Sequence, residues 1–365
     1  MSVYTHLSDD EFFAFCGLYG VKFKKAIPIV QGVKNSNWFI QTDSDQGSDF
    51  SYVFTLYEER VPADIIKMAT IMHALKDRLP IAPPLIKLTA KGDDIGTDCV
   101  MRYENKAILI VPKLSGTHPT TTDTAMCRDM GVALATLHDT LTSLQPAEDY
   151  GVPLYDWARV KERETAFMPH DEARLMNDIW TAYANLPSDL PKGLCHLDLF
   201  ADNTLWDFSH EAKLTGLLDF TEVSVEHYLM DIAITINDFC TTWGNATDGE
   251  SVQFDTDKMN AFIDGYASVR ALTADEQRAL PVMLAYSATI FWLLRLNVIH
   301  YNREQGRTGD DIMVKNPDLM KRLASFHWGR VWYSPLHNQS TRTPMKPRIN
   351  FITLDVITYN LFLIK

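Results

Sequence analysis

The chain has 365 residues, a formal net charge of −13, and 46% hydrophobic against 22% charged residues. That is enough chain for two domains, or one domain with two lobes, and too apolar for a disordered polymer. The acidic balance argues against a general affinity for the nucleic-acid backbone, which needs clustered Lys and Arg.

Five cysteines, Cys16, Cys99, Cys127, Cys195 and Cys240, are widely spaced and lack a CxxC pair. They suggest neither a disulfide framework nor a zinc site. The first residues, MSVYTHLSDDEFF, lack the basic and apolar regions of a secretory signal. The longest apolar run, Met283 to Leu294, has 12 residues, short of the roughly 20 that a membrane span needs. It reads as a buried helix, and a reducing cytoplasm with no membrane partner is the expected setting.

Along the chain, Ser8 with Glu11 three residues later predicts a capped, short amphipathic helix. β-rich runs follow at Phe23 to Val30, Trp38 to Thr42, Tyr52 to Tyr57, Cys99 to Tyr103 and Ala107 to Val111. Among them Pro62 opens a helix in which Ile65, Met68, Ala69, Met72 and Leu75 recur at helical spacing. The first part therefore reads as one helix packed on an antiparallel sheet. From about residue 113 the character reverses, with helical periodicity over 127–141, 171–186, 228–240 and 275–296. The class is α+β: a sheet-rich part over 1–112 and a larger, mostly helical part over 113–335. The stretch 336–365 fits neither and reads as an added edge strand, or as a disordered or foreign extension.

A hairpin interrupts the helical part. Its two runs, TLWDF and LTGLLDF, follow His196-Leu197-Asp198-Leu199-Phe200-Ala201-Asp202-Asn203, and the second run leads to Asp219-Phe220. This is HxDxxxxN, then a hydrophobic strand ending in Asp-Phe. Phosphoryl transfer needs a carboxylate to orient and deprotonate the attacking hydroxyl, and oxygen ligands for the magnesium that neutralises the triphosphate. Asp198, Asn203 and Asp219 suit these roles in that order, and one hairpin brings them to one sheet edge. Taken singly, an Asp before a short strand is an ordinary turn former; the joint spacing carries the signal.

On these residues, and on GVKNSNWFI, YVFTLYEE, GLCHLDLFADNTLW and LTGLLDFTEVSVEHYLMDIAITINDFC, residues 1 to 330 resemble the aminoglycoside phosphotransferase-like family of kinases. The resemblance implies a bilobal, protein-kinase-like fold, with a small antiparallel-sheet N-lobe and a larger helical C-lobe, that uses ATP and Mg2+. It implies Asp198 as the catalytic aspartate, Asn203 and Asp219 as metal ligands, His196 as loop support, and Asp231 as the acid bracing the catalytic-loop backbone. It also places Gly32, Lys34, Asn35, Ser36 and Asn37 in a nucleotide-covering loop, although a hairpin turn there looks the same. It puts Val111 and Lys113 at the interlobe crossing, where adenine would lie, although a buried strand there looks the same. His138 reads as a core or interlobe histidine.

One departure stands out: Thr55 occupies the strand position where many kinases of this fold carry a phosphate-contacting Lys or Arg. The helix after it has no Glu to form the usual ion pair. The narrower likeness is to a branch acting on a small amino-acid alcohol. For such an acceptor, Asn237, Asp238 and Arg295 are candidates to hold the carboxylate and ammonium. The alternatives are another alcohol, such as choline, ethanolamine, methylthioribose or an aminoglycoside, and a nucleotide-binding module without catalysis.

Overall fold

Residues 5–29, 35–47, 49–152, 155–243, 252–304 and 315–333 are described by the computed structural model; Gly32, Lys34 and the stretch from 336 onward lie outside them. Helix α1, Asp9–Gly17, begins with a complete capping box: Ser8 Oγ accepts from the Glu11 N–H, and the Glu11 carboxylate accepts from the Ser8 N–H at 2.8 Å. Five strands follow, β1 Phe23–Pro28, β2 Asn35–Thr42, β3 Tyr52–Tyr57, β4 Met101–Tyr103 and β5 Lys106–Pro112. They form one antiparallel sheet in the order β1-β2-β3-β5-β4. Helix α2, Pro62–Leu75, has Pro62 in its first turn, and the short α3 covers Ile95–Cys99. Cys99 therefore ends a helix and does not start β4.

Because side chains alternate across a strand, the sheet has two distinct faces. Trp38, Ile40, Phe54, Leu56, Ile108 and Ile110 share one, and Phe12 and Cys16 of α1 close over it. Tyr57, Ala107 and Leu109 lie on the other and join the core built with Ile65, Met68 and Leu75 of α2. The same core continues into the helical part through Met130, Leu134 and Trp292.

The helical part contains α4 Thr124–Leu141, α5 Trp157–Thr165, α6 His170–Ala184, α7 Tyr228–Phe239, α8 Thr256–Ala267, α9 Ala274–Glu304 and α10 Pro317–Tyr333. Between α6 and α7 lie four short strands, β6 Lys192–Cys195, β7 Thr204–Asp207, β8 Lys213–Leu217 and β9 Ser224–His227. β7 and β8 form the expected hairpin, and β6 pairs antiparallel with β9. By length and composition α9 could cross a membrane. Yet Met283, Ala285, Tyr286, Ala288, Trp292 and Leu293 are buried in the helical part, as in a core helix.

Helices α4 and α8 touch backbone to backbone through reciprocal glycines. A Cβ on Gly131 would lie 2.1 Å from the Phe262 carbonyl oxygen, and one on Gly265 would lie 2.1 Å from the Arg128 carbonyl oxygen. Backbone cannot swing aside as a flexible side chain can. Gly265→Ala is therefore expected to destabilise the protein by about 1–3 kcal/mol, the usual cost of overpacking. A melting temperature equal to wild type would show that the helices separate freely.

Candidate active site

β6 delivers the chain at His196 and β7 takes it up at Thr204, so the intervening loop is pinned at both ends. Leu197 sits in the left-handed region at φ 64°, a conformation that costs roughly 1–2 kcal/mol in a residue with a Cβ. Asp231, fully buried in the first turn of α7, holds it there. Its carboxylate accepts the His196 N–H at 2.7 Å and the Leu197 N–H at 2.8 Å. It also accepts from His138 Nε2 at 2.9 Å. Burial alone would raise the Asp231 pKa; the His138 hydrogen bond and charge, His196 and the Leu197 N–H outweigh it and hold the carboxyl below its ordinary value.

His196 is fixed as a scaffold. Its Nε2 lies 3.0 Å from the Leu218 carbonyl, which can only accept, so Nε2 carries the proton; Nδ1 accepts the Asp198 N–H at 3.3 Å. Burial drives its pKa down, and Phe220 packs on the ring at 4.8 Å between centroids. Through the same contact His196 ties the catalytic loop to the segment that carries Asp219.

A second tie runs through Asn203. Its side-chain nitrogen donates to the Asp198 carbonyl at 2.7 Å and to Asp198 Oδ2 at 3.3 Å, while its main-chain carbonyl accepts the Leu218 N–H at 2.9 Å. Asp198, Asn203 and Asp219 are thus brought together at one end of the β7–β8 hairpin. Asp219 is left-handed at φ 56°, and its Oδ1 accepts from the Thr221 hydroxyl at 2.5 Å. Among the described residues Asn203 Oδ1 and Asp219 Oδ2 carry no hydrogen bond. Two hard oxygen donors turned to no protein partner fit a divalent cation of the oxygen-binding type.

A different trio, His138, Cys195 and Asp231, also lies close enough together to bind an ion. Its atoms are already committed. The Cys195 thiol donates to the Gly193 and Glu226 carbonyls, and burial pushes its pKa well above the ordinary value, which opposes the thiolate a metal would need. His138 belongs to the core of the helical part, between Asp231 and the Tyr266 hydroxyl at 2.8 Å.

On the sheet, the register puts Asn37 opposite Thr55 and Thr55 opposite Leu109. Val53 and Val111 lie one step along on the same face. The Thr55 hydroxyl donates to Asn37 Oδ1 at 2.8 Å, so a neutral pair stands at the position noted above for its missing cation. Asn35, Ser36 and Asn37 are strand residues of β2, which corrects the loop assigned to them. Ser36 must also be removed from that set. Alternation turns it to the α1 face, where it is buried and its hydroxyl donates to Glu58 at 2.5 Å. Lys113 is exposed just past β5, its ammonium 5.9 Å from the Phe39 ring centroid. Gly32 and Lys34 lie outside the described residues.

The three acceptor candidates separate. Asn237 is buried, its amide nitrogen donating to Leu284 O and Ser287 Oγ and its oxygen lying 2.9 Å from His327 Nε2; it locks α7 to α9 and α10. Asp238 accepts the Ala201 N–H at 2.7 Å and Trp243 Nε1 at 3.1 Å, so it braces the catalytic loop from the side. Burial raises its pKa. Arg295 donates to the Asn316 carbonyl at 2.7 Å.

Sequence reasoning missed three contacts that help to build the site. Arg60, just past β3, pairs with Glu222 at 2.6 Å, joining the sheet part to the segment after Asp219. Tyr57 is buried, and burial first, then the Asp219 charge, raises its pKa. Asp202, beside Asn203, pairs with Lys315 at 3.0 Å. Only the charge of Arg60 and Glu222 hints at their pairing, and 162 residues separate them.

An Asp-Asn-Asp set at one end of a hairpin, its loop braced from a helix, offers the carboxylate and oxygen donors that a phosphotransferase of the kinase type needs. The chain belongs to the phosphotransferase enzyme family, whose model matches residues 25–272, and it is an ATP-dependent kinase. It is similar to the homoserine kinase of Rhizobium meliloti (strain 1021), 32% identical over 302 residues, which cover 81% of this chain and 86% of that one. The homoserine kinase of Gluconacetobacter diazotrophicus is 33% identical over 336 residues, covering 90% of this chain and 97% of its own length. Among solved structures, spectinomycin phosphotransferase in complex with ADP and spectinomycin shares the fold, with a TM-score of 0.61 at 14% identity, covering 89% of this chain and 99% of that one.

Proposed function

We propose that this kinase phosphorylates the side-chain hydroxyl of L-homoserine, giving O-phospho-L-homoserine and ADP, a step toward threonine made in the cytoplasm. The observation that carries the reading is the likeness to homoserine kinases over 81% to 90% of the chain. The nucleotide lies between a lobe of residues 1–112 and one of residues 113–335, on the sheet face that carries Asn37, Thr55 and Val111, with Asn35 and Lys113 at its edges.

Asp198 orients the acceptor hydroxyl and takes its proton as the oxygen bonds to the γ-phosphorus and ADP leaves. Asn203, by Oδ1, and Asp219, by Oδ2, are the residues that would hold Mg2+. When bound, that ion neutralises triphosphate charge. His196 and Asp231 position the loop. Asn203 keeps its oxygen available because its nitrogen is spent on Asp198.

The test is an ADP-release assay with homoserine, choline, ethanolamine, methylthioribose and kanamycin as acceptors. Homoserine is expected to give the highest kcat/KM, and activity should vanish on chelation of divalent ions. Turnover of a different alcohol with none of homoserine would defeat the substrate assignment. Magnesium-dependent ATP binding without turnover of any acceptor would favour a nucleotide-binding module, the reading that Thr55 motivates.

A further inference from the structure

Arg295 lies on α9 one turn beyond Phe291, on the same helix face. The Phe291 ring packs edge-on against Phe200 of the catalytic loop, 4.8 Å between centroids. That contact presents this face of α9 to the residues following Asp198. Two carboxylates bear on Arg295 from there: Asp238, under the loop, and Asp202, on it. Neither forms an ion pair with it. Asp238 is spent on the Ala201 N–H and Trp243 Nε1, and Asp202 on Lys315.

The guanidinium is partly buried, yet its one hydrogen bond among the described residues is to a neutral carbonyl, that of Asn316. Its Nε and Nη2 donors have no acceptor among those residues. Burial lowers its pKa to about 10, with Asp238 and Asp202 opposing the shift, so it remains a cation at neutral pH. A cation partly withdrawn from water without a paired anion is unfavourable, and a guanidinium with two unused donors matches the two oxygens of a carboxylate.

We propose that Arg295 is the receptor for the α-carboxylate of the acceptor amino acid and sets the enzyme's preference for amino-acid alcohols over simple ones. The proposal rests on the homoserine reading above and deepens it. Arg295 touches substrate away from the reacting hydroxyl, so it governs binding and orientation. Lys315, with its ammonium 5.6 Å from the Phe200 ring centroid, stays with Asp202 at the outer edge of the same patch.

Full-length wild type, Arg295→Gln and Arg295→Lys should be compared with homoserine and with 3-aminopropan-1-ol, which lacks only the carboxylate. Wild type is expected to favour homoserine by about 10²-fold or more in kcat/KM, the scale of a charge-assisted hydrogen-bonded pair. In Arg295→Gln the homoserine KM should rise by a similar factor and the preference collapse, while the KM for ATP and the melting temperature stay near wild type. Arg295→Lys should recover part of the preference. If the wild type does not discriminate between the two alcohols, or if folded Arg295→Gln keeps the wild-type preference, Arg295 is only the anchor for Asn316 and the proposal is wrong. Failure of wild type to phosphorylate homoserine at all defeats the substrate reading, and this inference falls with it. Should Arg295→Gln not fold, the wild-type comparison and Arg295→Lys still decide.

Discussion

Asp198→Asn is expected to lower kcat by about 10²–10⁴-fold, the range a positioned general base contributes, while leaving the fold intact. The substitution keeps the size of the side chain and removes the charge proposed to accept the hydroxyl proton. The Asn203 amide still finds the Asp198 main-chain carbonyl at 2.7 Å, so the loop retains its stronger internal tie. Melting temperature should stay within about 2–4 °C of wild type, which corresponds to roughly 1 kcal/mol in a domain of 150–250 residues. Affinity for nucleotide, measured by titration calorimetry, should change little. Retention of more than a tenth of wild-type kcat would remove Asp198 from the chemistry.

The other large effect is expected at Asp231, which contacts none of the reacting groups. Asp231→Ala strips the acceptor from the His196 N–H, the Leu197 N–H and His138 Nε2 at once. Removing one partner from a buried, charged network costs about 3–5 kcal/mol, which corresponds to roughly 6–20 °C in melting temperature. kcat should fall with it, because the Leu197 N–H loses the carboxylate that holds its left-handed turn. Loss of activity with unchanged melting temperature would contradict the bracing role. The network also fixes a pH dependence. The folded-state pKa of Asp231 lies below its ordinary value, so its contribution is fully present above the unfolded pKa, about 3.9. It is lost as pH falls through the folded value. Acid unfolding of wild type should therefore be steeper than that of Asp231→Asn.

Which parts of this were legible in the sequence follows from how far apart the partners lie. Asp198, Asn203 and Asp219 sit within one hairpin and its leading loop, so local spacing was enough to place them together. Helices α4, α7 and α9 announced themselves by apolar periodicity. Helix α5, WARVKERET, did not: its only buried residue is Glu164, an acid that apolar patterns do not register. Strands β6 and β9 are four residues each and lie 28 residues apart, too short to show alternation.

Ser36 shows a different limit. A polar tripeptide flanked by strands reads as a turn, and only the pairing of Ser36 with Leu56 reveals that β2 begins earlier and turns this hydroxyl away from the cleft. The support behind the catalytic loop was half visible. Asp231 was anticipated as a brace, but its link to His138 spans 93 residues and the next link, to Tyr266, spans 128. Arg270 extends the chain by donating to the Tyr266 hydroxyl and to Glu276. No periodicity encodes such a relay; it arises where four helices converge.

The ion pair between Arg60 and Glu222 bears on how the enzyme can move. Arg60 follows β3, the strand that carries Thr55, and Glu222 stands three residues past Asp219. The pair therefore acts as a strut between the roof of the cleft and its floor. Rocking of the sheet against the helices would work against this pair, which links Arg60 to the segment that follows Asp219. With the nucleotide on the sheet face proposed above, this pair would couple its seating to the placement of Asp219.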